Sequence, residues 1–141
     1  METRPAFEKF FDSKGWKYQW INAKGYDGIL RVKDKEIKIE TKMVREIWDS
    51  LFLELMQDTL TENIGWYYYS TAKYFFYGDK EKIHQIDMSR LREYVEEHGH
   101  RYETRLRNEE RDKEQGWGTV RYKLIPWKLL EDKNIVKTHR I

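Results

Sequence analysis

Between Tyr26 and Lys42 the chain alternates apolar and polar side chains on both sides of a single polar break around Lys33 to Glu36. A period of two is that of a half-buried strand, and two such runs about a short polar turn make a β-hairpin. With Asp34-Lys35 as the two-residue turn, Lys33 pairs with Glu36, Arg31 with Lys38, Ile29 with Glu40 and Asp27 with Lys42. Glu36, Lys38, Glu40 and Lys42 then share one face, while Ile37, Ile39 and Thr41 share the other with Leu30 and Val32. Asp27 and Glu40 become diagonal neighbours on the polar face, roughly 7–8 Å apart. A slip of one residue would move Asp27 to the other face.

Two carboxylates so placed can hold one hard cation. A phosphodiester is anionic, and a bound Mg²⁺ or Mn²⁺ neutralises charge, lowers the pKa of an attacking water and stabilises the leaving oxygen. Asp27 and Glu40 fit the ligand role, with the Thr41 carbonyl as a further oxygen. Lys42, two residues past the second ligand, is placed to orient the water or to stabilise developing negative charge.

An Asp at the start of one strand followed by Glu-x-Lys on the next resembles the PD-(D/E)xK nuclease superfamily. Here the motif reads Tyr26-Asp27 in place of Pro-Asp, which keeps the carboxylate, and Glu40-Thr41-Lys42. The setting agrees: a helix over Pro5 to Ser13, a strand near Trp16 to Ile21, the hairpin, a helix from Val44 to Leu60, then a strand and a helix within 72–99. The resemblance implies an α/β fold with a restriction-endonuclease-like core, a mixed central β-sheet flanked by helices in αβββαβ order. It also implies Mg²⁺- or Mn²⁺-dependent cleavage of nucleic acid, DNA in preference to RNA, and often a homodimer. Small Holliday junction resolvases of this superfamily place a Glu on the first helix, which carries over to Glu8 as a further catalytic residue. Several branches support the site from the helix after the motif, which carries over to Gln57 and Glu54. The alternative reading is a noncatalytic nucleic-acid-binding protein that keeps the nuclease fold.

At 141 residues, without a low-complexity linker or an obvious repeat, the chain suits one domain with a core over about 5–99 and a strand-helix extension over about 100–141. Absence of cysteine excludes a disulfide framework and a thiolate metal site. His98 and His100 stand two apart around Gly99 with no further ligand at zinc spacing. Met1-Glu2-Thr3-Arg4 lacks the apolar stretch of a signal peptide, and no run approaches the roughly 18 apolar residues of a membrane span, so a cytoplasmic protein is expected.

The net charge of +2 conceals a division that bears on partners. Residues 1–45 carry 11 Lys and Arg against 7 Asp and Glu, residues 46–99 carry 5 against 11, and residues 100–141 carry 11 against 7. Local positive surface is what exchanges with phosphate counterions. Candidate contacts are Arg31, Lys33, Lys35 and Lys38 on the hairpin, with Arg101, Arg105, Arg107, Arg111, Arg121 and Lys123 beyond it.

In the predicted Val44–Leu60 helix, Ile47, Trp48, Leu51, Phe52, Leu55, Met56 and Leu60 form an apolar stripe, with Glu46, Ser50, Glu54 and Gln57 as a polar row. Trp66 to Ser70 reads as an aromatic loop able to line a substrate groove. Strands are expected over Ala72–Tyr77 and Ile83–Met88, then a helix capped by Ser89 and ended by Gly99. Glu103 to Gly118 reads as a loop, followed by a strand over Thr119–Ile125 and a helix over Pro126–Asp132.

Overall fold

The computed structural model describes residues 4–58, 63–107 and 119–141. Helix α1 (Arg4–Ser13) is followed by strands β1 (Lys17–Ala23), β2 (Tyr26–Val32) and β3 (Lys35–Met43). Next come β4 (Ser50–Asp58), β5 (Asn63–Ile64), the short helix α2 (Trp66–Tyr69), β6 (Tyr74–Gly78) and β7 (Lys82–Asp87). Helix α3 (Met88–His98), a 3₁₀ turn (Gly99–Arg101), β8 (Arg105–Arg107), β9 (Val120–Pro126), α4 (Trp127–Asp132) and β10 (Val136–Arg140) complete the described order.

Six strands form one mixed sheet in the order β1-β2-β3-β6-β7-β10. Only β3 and β6 run parallel within it; the other pairs are antiparallel. A second, antiparallel sheet has the order β5-β4-β9-β8. The fold is α/β with a mixed sheet, as expected, with fewer helices than the resemblance implies.

Successive side chains on β6 supply both layers of the core, because a strand turns alternate residues to opposite faces. Phe76 joins Leu30, Ile39 and Ile83 under α1, whose Phe7, Phe10 and Phe11 fall on one helical stripe. Phe75 points the other way, into a cluster with Leu51, Leu53, Trp66, Ile86, Met88, Leu91, Trp127 and Leu130. At Gly28, paired with Trp20 of β1, an added Cβ would stand 3.0 Å from the Gln19 carbonyl oxygen.

The β2–β3 hairpin forms with a register two residues from the expected one. Its ladder pairs Val32 with Lys35, Arg31 with Glu36, Leu30 with Ile37 and Gly28 with Ile39. The turn residues are therefore Lys33 and Asp34, both left-handed at φ 48° and 66°, as the tight turn matching strand twist requires at both central positions. A two-residue shift preserves parity, so the paired side chains of Gly28–Val32 and Lys35–Ile39 keep their predicted faces. What changes is the partner: one step beyond the Gly28–Ile39 pair, Asp27 comes level with Glu40 and no longer with Lys42.

The largest correction is the helix expected over Val44 to Leu60. Residues 44–49 make a non-helical connection, and Ser50–Asp58 is strand β4, paired with β9 from Ser50↔Pro126 through Met56↔Arg121. Leu51 and Leu55 fit a helical stripe and also a period of two with Leu53; pairing with a strand about seventy residues away decided between them. Trp66 to Tyr69 is helical, with Trp66 and Tyr67 in the core, which overturns the groove-lining loop for those two rings. The α3 cap is Asp87, which accepts from the Arg90 amide, in place of Ser89. Arg105–Arg107 is a strand inside the expected loop, whose remainder over 108–118 lies outside the described residues. Among the described residues no helix is long and apolar enough to cross a membrane.

Candidate active site beside the β2–β3 hairpin

Asp27 stands at the head of β2, opposite a bulge. Trp20 pairs with Gly28 and Ala23 with Tyr26, so two β1 residues, Ile21 and Asn22, face the single Asp27. Such bulges re-aim a side chain at a strand end. The Asp27 carboxylate accepts from the Thr41 amide at 2.7 Å and the Thr41 hydroxyl at 3.1 Å, which fixes it against β3. Thr41 thus contacts the site through its donors.

Glu40 is buried, 8% exposed, on the sheet face that looks toward the second sheet. One carboxylate oxygen accepts from the Tyr69 hydroxyl at 3.4 Å; the other, Oε2, is buried without a hydrogen-bond partner. Burial raises the Glu40 pKa, and the charges of Asp27 and Glu54 raise it further, against the opposing pull of the Ser70 and Tyr69 hydroxyls. Tyr69 responds in kind: burial and the charges of Glu40 and Glu54 push it up to about 12, so it remains a proton donor to the carboxylate. An orphaned, desolvated carboxylate oxygen beside two other carboxylates is an environment that a divalent cation relieves. Among the described residues no group of three or more His, Asp or Glu side chains is placed to hold an ion. Mg²⁺ or Mn²⁺ here would rest on Asp27 and Glu40 and fill its shell with waters, which Mg²⁺ retains readily.

Lys42 is exposed, on the same face as Glu40, and faces a groove of about 640 Å³ that it shares with Tyr77, Phe52 and Glu54. The short helix α2 sets Tyr69 beside Glu40, and Gly65, the cap residue before the helix, is wedged against β4. A Cβ on Gly65 would sit 2.3 Å from the Glu54 carbonyl oxygen and 2.8 Å from the Glu54 side chain. Gly65→Ala is therefore expected to destabilise the fold by roughly 1–3 kcal/mol through overpacking, read as a lowered urea midpoint. An unchanged midpoint would mean that α2 is not seated on β4 as described.

The other predicted residues divide clearly. Glu8 lies on α1, across the sheet from Glu40, and accepts from the Trp20 indole at 3.2 Å; the structure does not bring it to the Asp27–Glu40 pair. Glu54 does reach the pair electrostatically, from a strand and not from a helix. The Gln57 side chain lies outside the described residues, as does Arg111. On the hairpin, Arg31 is engaged by Glu36 at 3.3 Å and by Gln19, and Lys38 lies 4.9 Å over the Tyr26 ring. Lys33 and Lys35 are exposed at the turn. Lys123 is part-buried and committed to the Gly99 and Tyr102 carbonyls at 2.6 and 3.1 Å, a structural use. Arg105 and Arg107 lie on β8 beside the groove strands, with Arg121 exposed on β9 and Arg101 in the 3₁₀ turn.

Reasoning from the sequence set Tyr69 within an aromatic stretch able to line a substrate groove without naming it as the Glu40 partner, and it missed the groove formed by Phe52, Tyr77 and Tyr122. No local signal marks them, since they meet only through the pairing of β4 with β9 and the packing of the two sheets. A cavity of about 680 Å³, lined by Phe10, Met43 and His139, opens on the α1 side, away from the carboxylates. No protein-family model, curated protein or solved structure matches this chain.

Proposed function

We propose that the chain is a metal-dependent nuclease that hydrolyses phosphodiester bonds through a water activated by Mg²⁺ or Mn²⁺. The observation that carries this reading is the meeting of Asp27 and Glu40 on adjacent strands, with the Glu40 Oε2 buried and unpaired and Lys42 two residues further along the same strand face. Asp27 and Glu40 would hold the ion, which supplies Lewis acidity and a nucleophilic water when bound. Thr41 fixes the orientation of Asp27, and Tyr69 that of Glu40. The Lys42 side chain makes no hydrogen bond or ion pair among the described residues, so its ammonium is available to a phosphate oxygen. DNA is the expected substrate over RNA, with cleavage selected by structure or not selective. The alternative, a noncatalytic nucleic-acid binder, keeps the same surface and lacks only turnover.

The decisive experiment is incubation with labelled single-stranded, duplex, flapped and four-way-junction DNA, and RNA, in Mg²⁺, Mn²⁺ or EDTA. Cleavage is expected with metal and none in EDTA. Lys42→Ala should lower the rate on the order of 10²–10³-fold, the cost of deleting one donor to a developing oxyanion, with Mn²⁺ affinity by calorimetry unchanged. Absence of products on every substrate would leave the binding alternative in its place.

A further inference from the structure

The groove that begins at Lys42 and Glu54 continues across the outer face of the second sheet, where aromatic rings replace charges. The register places Phe52, Glu54, Tyr122 and Leu124 on one face, since Phe52 pairs with Leu124 and Glu54 with Tyr122. Phe52 and Tyr122 stack at 4.2 Å with planes 18° apart, and the Arg107 guanidinium lies 5.6 Å over Phe52. At the rim Trp48 is 76% exposed, the most exposed large apolar side chain among the described residues, with Arg45 exposed three residues before it. The connection that presents Trp48 is fixed at its base: buried Asp79 accepts from the Ile47 amide at 3.0 Å as well as from the Glu81 and Lys82 amides. Trp48 is thus a ring held out in solvent by an anchored backbone, above a floor of paired rings, with Lys42, Arg45 and Arg107 around it.

We infer that this groove binds an unpaired nucleic-acid strand, with a base stacked on Trp48 and the phosphates tracked by Arg45 and Lys42. A flat exposed ring offers a π-face to any base, and stacking of this kind supports single-strand binding without sequence preference. Antiparallel sheet faces bearing aromatic rings take splayed bases in the same way. Paired bases in a duplex have their faces covered, so Trp48 gives them nothing to stack on. The basic side chains supply the charge complementarity that a phosphate backbone needs. The inference deepens the nuclease reading and rests on it for one point, that the strand leads to Glu40; binding itself does not require metal or turnover.

Fluorescence anisotropy in EDTA tests it, with labelled oligothymidylate, labelled oligouridylate and a blunt DNA duplex as probes. The parent is expected to bind at least one single strand more tightly than duplex. Trp48→Ala, a change at an exposed position that leaves the core untouched, should weaken that binding roughly tenfold or more. Trp48→Phe should restore most of it, and neither variant should alter duplex binding. Equal affinity for duplex and single strands, or single-strand binding indifferent to Trp48→Ala, would overturn the inference. Cleavage assays with metal separate the two readings: a parent that never cleaves while the Trp48 effects hold removes the nuclease and keeps the groove. Metal-dependent cleavage that ignores Trp48→Ala on single strands removes the groove and keeps the nuclease.

Discussion

Glu40→Gln is expected to abolish metal-dependent cleavage and, at neutral pH, to make the protein more stable. The first effect follows from losing an anionic ligand: metal stabilisation of transition-state charge amounts to several kcal/mol, so the rate should fall on the order of 10³-fold. The second follows from burial. Glu40 carries a raised pKa because its charged form is desolvated and lies beside Asp27 and Glu54, with Oε2 unpaired. A carboxylate whose folded pKa lies above its ordinary value of 4.5 favours folding below that pH, and the advantage is lost as pH rises through the folded value. The neutral amide removes this penalty. The variant should therefore match the parent near pH 4 and exceed it at pH 7, by about 1 kcal/mol or more in urea unfolding without metal. Added Mn²⁺ should narrow the gap by stabilising the parent alone, since a ligand that binds only the folded state raises its stability. A variant that still cleaves would remove Glu40 from the chemistry. One with no pH-dependent gain would remove the electrostatic strain from the account.

Phe76→Ala should cost roughly 3–5 kcal/mol, a large part of the roughly 5–15 kcal/mol that keeps a domain folded. Phe76 is fully buried at the centre of the mixed sheet, edge-on to Phe11 at 5.2 Å and within 6.1 Å of Phe10. Its removal opens a cavity under α1 that three phenylalanines of a single helix cannot refill. The damage should reach the site as well, because β6 pairs in parallel with β3, Phe76 beside Thr41 and Phe75 beside Glu40. Phe76→Leu should lose distinctly less. Urea unfolding of both variants provides the check, and a loss under about 1 kcal/mol for Phe76→Ala would mean that α1 does not pack on this ring.

The sequence by itself determined whatever depends on neighbours along the chain. Alternation fixed the hairpin and put Glu40 and Lys42 on one face of β3, and this outcome survived a wrong turn because a two-residue slip keeps parity. The spacing of Phe7, Phe10 and Phe11 fixed α1 and its buried side. The tertiary structure decided what depends on partners distant in the chain. Ser50–Asp58 is compatible with either period, and its ladder with β9 made it a strand, which moved Glu54 toward Glu40 and opened the aromatic groove. Strand β10 went unforeseen because Val136 to Arg140 is short and mostly polar; pairing with β7 along Val136↔Ile86 to Arg140↔Lys82 gives it its form. Whether Glu40 was a solvated surface charge or a buried, strained one could not be read from its place in a Lys/Glu alternation. That followed only when the second sheet and the Tyr69 ring closed over it, since desolvation is a property of everything packed around a group and not of its own strand.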